Sequence, residues 1–343
     1  MQNKKIIVTG GAGFIGSNFI AYMLNKYPNC KILNLDKLTY AGNLENLKEI
    51  ENNPNYRFVQ ADIADKEIIF SLFEEFKPEI IVNFAAESHN DRAINDPKIF
   101  LITNVLGTQN LLEACRIFGI ERFHHISTCE VFGDCELDED IKFHENSAYN
   151  PKTPYNASKA AADHIVKAYF HTFKIPITIS NCGNNYGPYQ YLEKLIPLFV
   201  TNALEDKPLP LFESSKNMRE WIHVKDHCTA VELILQKGKI GETYNIGTGV
   251  EKSIEEITYF ILTELGKPES LKQYVKDRLG HDKRYPLDSS KIRKELGWKP
   301  EINFEEGIKD TIKWYVQNEW WWRRIKSGEF QKYYDSYYNK LKK

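Results

Sequence analysis

The segment Thr9-Gly10-Gly11-Ala12-Gly13-Phe14-Ile15-Gly16 constrains this chain more than any other. A short apolar run, Ile6-Ile7-Val8, precedes it, and an amphipathic run from Phe14 to Leu24 follows. Gly10, Gly13 and Gly16 are spaced as G-x-x-G-x-x-G. At a strand–loop–helix junction glycine allows a tight turn, close approach of backbone to a pyrophosphate, and close helix–strand packing. The helix start, at Phe14 and Ile15, then offers unpaired N–H groups to phosphate oxygens. Asp36 ends the next strand-like run, Lys31 to Leu35. A carboxylate there accepts hydrogen bonds from the adenosine ribose and repels a 2′-phosphate, so NAD is expected rather than NADP. Asp62 ends the following run, Tyr56 to Gln60. It is expected at the adenine edge, a role compatible with capping the helix expected over Lys66 to Phe76.

The alternation continues. Ile80 to Phe84 reads as a strand, Ile99 to Phe118 as one long helix, and Phe123 to Ser127 as a strand. Ser158 to Phe173 reads as a helix and Ile177 to Ser180 as another strand. Strands separated by helices of this length predict a Rossmann-type, doubly wound parallel α/β sheet. After about residue 180 the alternation is lost, and a smaller C-terminal α/β lobe is expected. The expected NAD-binding domain covers 1–180 with a returning segment near 221–247. The substrate lobe is expected over 181–220 and 248–343. Trp314 to Trp322 reads as a C-terminal helix docked by its aromatic side chains.

Forty-five basic and 47 acidic side chains nearly balance, so no nucleic-acid partner is expected. No apolar stretch is long enough to span a membrane. The opening Met1 to Ile7 lacks the apolar core and cleavage site of a secretory signal. Six scattered cysteines without a CxxC pair predict neither a disulfide framework nor a zinc knuckle, and fit a reducing cytoplasm. His223 and His227 are four apart, but no metal is expected there.

Tyr155 and Lys159 lie four apart at the start of a helix, which places both on one face. A nearby ammonium stabilises tyrosinate, so Tyr155 is a candidate general base. Ser127-Thr128 ends an earlier strand at the same sheet edge.

With these residues the chain resembles the extended short-chain dehydrogenases/reductases, and within them the nucleotide-sugar 4,6-dehydratases. The resemblance runs nearly end to end. It rests on Leu35 to Asn43, Ala85-Ala86-Glu87-Ser88-His89, Asn104 to Thr108, Ser127-Thr128-x-Glu130-Val131-Phe132-Gly133, and Asn184 to Gln190. Glu193 to Pro197, Arg219-Glu220-Trp221, Tyr244 to Gly247 and Asp277 to Asp282 extend it. It implies that Tyr155 deprotonates the C4 hydroxyl while hydride passes to NAD, that Lys159 tunes Tyr155, and that Thr128 bonds the C4 oxygen. Glu130 then removes the C5 proton, water leaves C6, and hydride returns to C6, regenerating a tightly bound NAD. Lys37, Thr39, Ile63, Ala85, Ala86 and Asn104 are implied at the cofactor. Ser88, His89, Asn184, Asn185, Lys194, Arg219, Asn245, Arg278 and His281 are implied at the nucleotide sugar. It also implies a homodimer joined through the helices at Ile99–Phe118 and Ser158–Phe173. Epimerases and decarboxylases of nucleotide sugars share the fold and stand as rivals.

Where relatives keep an aspartate as acid for the departing hydroxyl, this chain has Cys129. A thiol is mostly protonated at neutral pH and is a weaker acid catalyst. Glu130 is therefore expected both to take the C5 proton and to deliver it to O6, with Cys129 assisting or shaping the pocket. Asn90, Asn181, Gly183 and Tyr191-Leu192 also depart from the family pattern. Because Gly183 and Cys129 are small, a 2-acetamido sugar is favoured: UDP-N-acetylglucosamine first, dTDP-glucose second.

Overall fold

The computed structural model describes residues 1–277, 279–328, 330, 332, 334 and 335. Six strands alternate with helices through the first half: β1 (Lys5–Thr9), β2 (Lys31–Asp36), β3 (Tyr56–Gln60), β4 (Ile80–Asn83), β5 (Arg122–Thr128) and β6 (Ile177–Cys182). Further on come β7 (Asn184–Tyr186), β8 (Leu209–Phe212), β9 (Met218–His223), β10 (Thr243–Ile246), β11 (Glu251–Ser253) and β12 (Lys272–Val275). The main sheet has seven strands in the order β10-β6-β5-β4-β1-β2-β3, all parallel. The Rossmann-type doubly wound fold is therefore present.

Alternation explains its two-sided core. Ile6 and Val8 of β1 enter one apolar cluster, while Ile7 enters the opposite one, because successive strand residues face opposite ways. Helices α1 (Phe14–Lys26) and, later in the chain, Val224–Lys237 cover the first face. Helices α2 (Lys66–Phe76), Thr108–Phe118 and Pro154–Phe173 cover the second.

The long helix expected over Ile99–Phe118 is unbroken along the chain but not of one type. Pro97–Phe100 and Thr108–Phe118 are α-helical, and Leu101–Gly107 between them is a π-helical turn. A short sheet β11-β9-β7 and the pair β12-β8 carry a separate apolar cluster containing Phe199, Trp221, Ile308 and Tyr315. The C-terminal helix is two helices, Phe304–Gln317 and Glu319–Lys326. Asn318 leaves helical geometry at φ −112°, ψ 43°, and its side chain donates to Trp314 O. Docking is by aromatics as expected: Trp321 and Trp322 are buried, with indole N–H groups donating to Asn46 Oδ1 and Tyr315 O. Trp320 stays exposed.

Candidate active site

Strand order reverses between β1 and β4, so a crevice opens outside their carboxyl ends. Gly10 turns the chain there at φ +67°, and a Cβ on it would stand 2.7 Å from Ala85 N. Only glycine lets the loops after β1 and β4 meet so closely. Asp36 Oδ2 accepts the Ala12 N–H at 3.0 Å and Oδ1 the Leu38 N–H at 2.8 Å. Burial pushes this carboxyl upward, and the two N–H donors oppose the shift.

One cavity runs along this edge. Gly10, Gly13, Phe14, Ile15, Gly16, Asp36, Lys37, Thr39, Asp62, Ile63, Ala85 and Ala86 line one end. Ser88, Thr128, Cys129, Glu130, Tyr155 and Lys159 line the other. A glycine-walled loop at a helix start with an acid ending β2 fits a dinucleotide with a free ribose 2′-hydroxyl. Asn104 lies behind the wall instead of on it. Its Nδ2 donates to Glu87 O at 3.0 Å and Ser158 Oγ at 2.8 Å, and its Oδ1 accepts the Glu87 N–H. Asp62 pairs with Lys37 at 2.6 Å. The cap of α2 is Asp65, which accepts the Glu67 and Ile68 N–H groups, because the helix begins at Lys66.

The chemistry-bearing end is built from two junctions. Strand β5 stops at Thr128, whose Oγ1 accepts the Glu130 N–H at 3.3 Å. Thr153 caps helix α3 (Pro154–Phe173) by accepting the Asn156 N–H, and Pro154 occupies its first turn. Tyr155 and Lys159 thus share one buried face. Burial holds the Tyr155 phenol well above its ordinary range, and the Glu130 charge adds to this. Burial also lowers Lys159 to about 8. Among the described residues its Nζ donates to Ile126 O at 2.6 Å and lies 3.3 Å from His125 Nε2, not on the Tyr155 hydroxyl.

Sequence reasoning missed what stands behind Lys159. Asp163 is fully buried and accepts from Ser127 Oγ at 2.7 Å and Tyr149 OH at 3.0 Å. His125 Nε2 lies 3.5 Å from Asp163 Oδ1. An acid four residues after Lys159, on the same buried stripe, was the available signal. A second network joins Glu130 to α3: Asn90 Nδ2 donates to Glu130 Oε2 at 2.9 Å, and Thr153 Oγ1 donates to Asn90 Oδ1 at 2.7 Å. Cys129 is buried, and desolvation followed by the Glu130 charge pushes its thiol well above the ordinary range.

Of the sugar-side candidates, Ser88, Asn184, Asn185 and Lys194 line the cavity. Lys194 Nζ donates to Ser88 O at 3.0 Å. Asn185 is braced from behind, donating to Gly183 O and facing His227 Nδ1 at 2.9 Å. His89 is buried at the start of a short helix, 3.9 Å from Asp91. His89 is not brought to the cavity wall, and neither are three further candidates. Arg219 donates to Met218 O, Lys283 O and Asp282 O, and its guanidinium stands over the Tyr285 ring. Asn245 is fully buried in β10, donating to Phe143 O and Asp288 O. His281 meets Ser214 and Asp277 and packs against Phe212. Backbone carbonyls or neighbouring side chains occupy these groups, a use that spacing does not reveal. Arg278 lies outside the described residues. His223 Nδ1 accepts the Lys225 N–H, and no three-residue metal-binding group occurs among the described residues. Glu193, not anticipated, lines the cavity and accepts from Arg92 Nε at 2.9 Å.

The fold and this cavity define a class, the nucleotide-sugar enzymes of the extended short-chain dehydrogenase/reductase type. The family model described as GDP-mannose 4,6 dehydratase matches residues 7–311, and the chain belongs to that family. It is 44% identical to the dTDP-glucose 4,6-dehydratase of Salmonella typhimurium, over 97% of this chain and 99% of the relative. It is 47% identical to that of Haemophilus influenzae, over 91% and 98%. The solved dTDP-glucose 4,6-dehydratase of Bacillus anthracis, in complex with NAD, superposes with a TM-score of 0.87 at 45% identity, over 94% of this chain and 99% of that one. This chain is an NAD-dependent hydro-lyase of the nucleotide-sugar 4,6-dehydratase branch.

Proposed function

We propose that the substrate is dTDP-glucose and the product its 4-keto-6-deoxy form. The observation that carries this is the 44–47% identity, over more than nine-tenths of the chain, to dTDP-glucose 4,6-dehydratases. The relatives lend no support to UDP-N-acetylglucosamine, which Cys129 and Gly183 favoured in sequence. Gly183 has a local reason to be small: a Cβ there would stand 2.9 Å from Glu220 O.

NAD, when bound, would supply a hydride acceptor at C4 and a hydride donor at C6, and the proton that Tyr155 takes from the C4 hydroxyl balances the one C5 regains as hydride reaches C6. In our reading Tyr155 removes the C4 hydroxyl proton, and the Thr128 hydroxyl holds that oxygen. The 4-keto group acidifies C5–H, and Glu130 takes the proton. Cys129 is buried beside the Glu130 carboxylate, which disfavours release of its proton, so we assign the acid to Glu130. Glu130 therefore passes the C5 proton to O6, the C6–O bond breaks, and water leaves. The loop after β1, Asp36 and the Ala85-Ala86 turn hold the cofactor. The segments 181–220 and 248–343 hold the nucleotide sugar. Two copies pair through the helical runs Ile99–Phe118 and Ser158–Phe173, and the enzyme works in the cytoplasm.

Turnover measured side by side tests the substrate. dTDP-glucose yields a product with the alkaline absorbance of a 4-keto sugar, with UDP-N-acetylglucosamine at least about a hundredfold slower in kcat/KM, about 2.7 kcal/mol. Turnover of UDP-N-acetylglucosamine alone overturns the proposal.

A further inference from the structure

We infer that Asn90 is a positioning residue for Glu130, coupling the C5 base to the helix that carries the C4 base. This rests on Glu130 being the C5 base, as proposed above. The hydrogen bonds determine which way the Asn90 amide faces. Thr153 Oγ1 already accepts the Asn156 N–H at 3.2 Å, as cap of α3. Its one proton goes to Asn90 Oδ1 at 2.7 Å. Asn90 Nδ2 is then left to donate to Glu130 Oε2 at 2.9 Å. Asn90 is 7% exposed and Thr153 is 5% exposed, so bulk water is a poor substitute for either bond.

Two consequences follow. An N–H donor on Oε2 fixes the carboxylate rotamer and leaves Oε1 for the proton of C5 and then for O6. The same chain of bonds ends at Thr153, the cap of α3, two residues before Tyr155. Thr153 thus places the two bases relative to each other through a single asparagine. The need for such a brace is greatest where Glu130 must serve both proton transfers and its neighbour Cys129 serves neither.

The test uses the NAD-loaded enzyme and two near-isosteric variants, Asn90→Leu and Asn90→Asp. Leu removes both bonds, and Asp keeps an acceptor for Thr153 but loses the N–H. Both lower kcat about tenfold or more with KM within about twofold, because the lost interaction acts after substrate binds. Both also accumulate reduced-nicotinamide absorbance in a single turnover, since C4 oxidation proceeds while elimination lags. Wild-type elimination in either variant overturns the role. So does equal slowing of oxidation and elimination, which marks a merely structural residue. Glu130→Gln separates this from the underlying reading. If it eliminates normally, Glu130 is not the base and both fall. If it stalls with reduced cofactor while the Asn90 variants do not, only the Asn90 role is lost.

Discussion

Cys129 stands between Thr128 and Glu130, at the edge of the cavity and 2% exposed. Exposure and charge decide whether a thiol can act as an acid. Here both work against release of its proton, because burial and the Glu130 carboxylate each disfavour a thiolate. Removing the thiol therefore costs little. Cys129→Ala retains turnover within about tenfold of wild type, whereas Glu130→Gln loses about a thousandfold, the scale of a positioned acid–base group. Equal collapse of the two would make Cys129 the acid. Glu130 itself was legible from the Ser127-Thr128-x-Glu130 pattern. Its partner Asn90 was legible only as an odd residue, since nothing in the sequence indicates that positions 90, 130 and 153 meet.

The site depends on where elements stop. Strands β1, β2, β4, β5 and β6 all end on one edge, so their terminal residues and following loops collect there. The loop between β1 and α1 is held by close contacts that only glycine permits. A Cβ on Gly16 would stand 2.4 Å from Gly10 O, where no flexible side chain can yield. Gly16→Ala therefore opens the loop. NAD released on denaturing the purified variant falls about tenfold or more, equivalent to about 1.4 kcal/mol of lost affinity. Undiminished NAD content would show that the loop tolerates the methyl group. The helix caps at Asp65 and Thr153 were less legible than the helices themselves. A cap depends on the residue where helical geometry begins, and periodicity locates that point only to within a few residues.

At the scale of the molecule, the helices on one face leave apolar side chains in solvent. Leu101 is 52% exposed, Leu106 55%, Ile117 51% and Phe173 48%. Soluble chains seldom leave such a set uncovered, and a second copy of this chain covers it in our reading. Light scattering then gives twice the chain mass for wild type. The double variant Leu101→Asp, Leu106→Asp gives the chain mass, because two carboxylates cannot be buried unpaired in an apolar contact. A monomeric wild type would refute the pairing. No helix among the described residues is long and apolar enough to cross a membrane.

The sequence by itself determined the doubly wound sheet, the glycine loop with Asp36, and the candidates Thr128, Glu130, Tyr155 and Lys159. The sheet, the loop and the Tyr155–Lys159 pair are local patterns of alternation and spacing, while Thr128 and Glu130 were candidates through the family resemblance. Tertiary structure decided the rest. It sent Arg219 and Asn245 to brace backbone carbonyls, set Asp163 and His125 behind Lys159, and joined Asn90 to Glu130 and Thr153. Those contacts link residues tens to more than a hundred positions apart. Their chemistry is that of ordinary surface polar residues until the fold buries them and brings their hydrogen-bond partners to them.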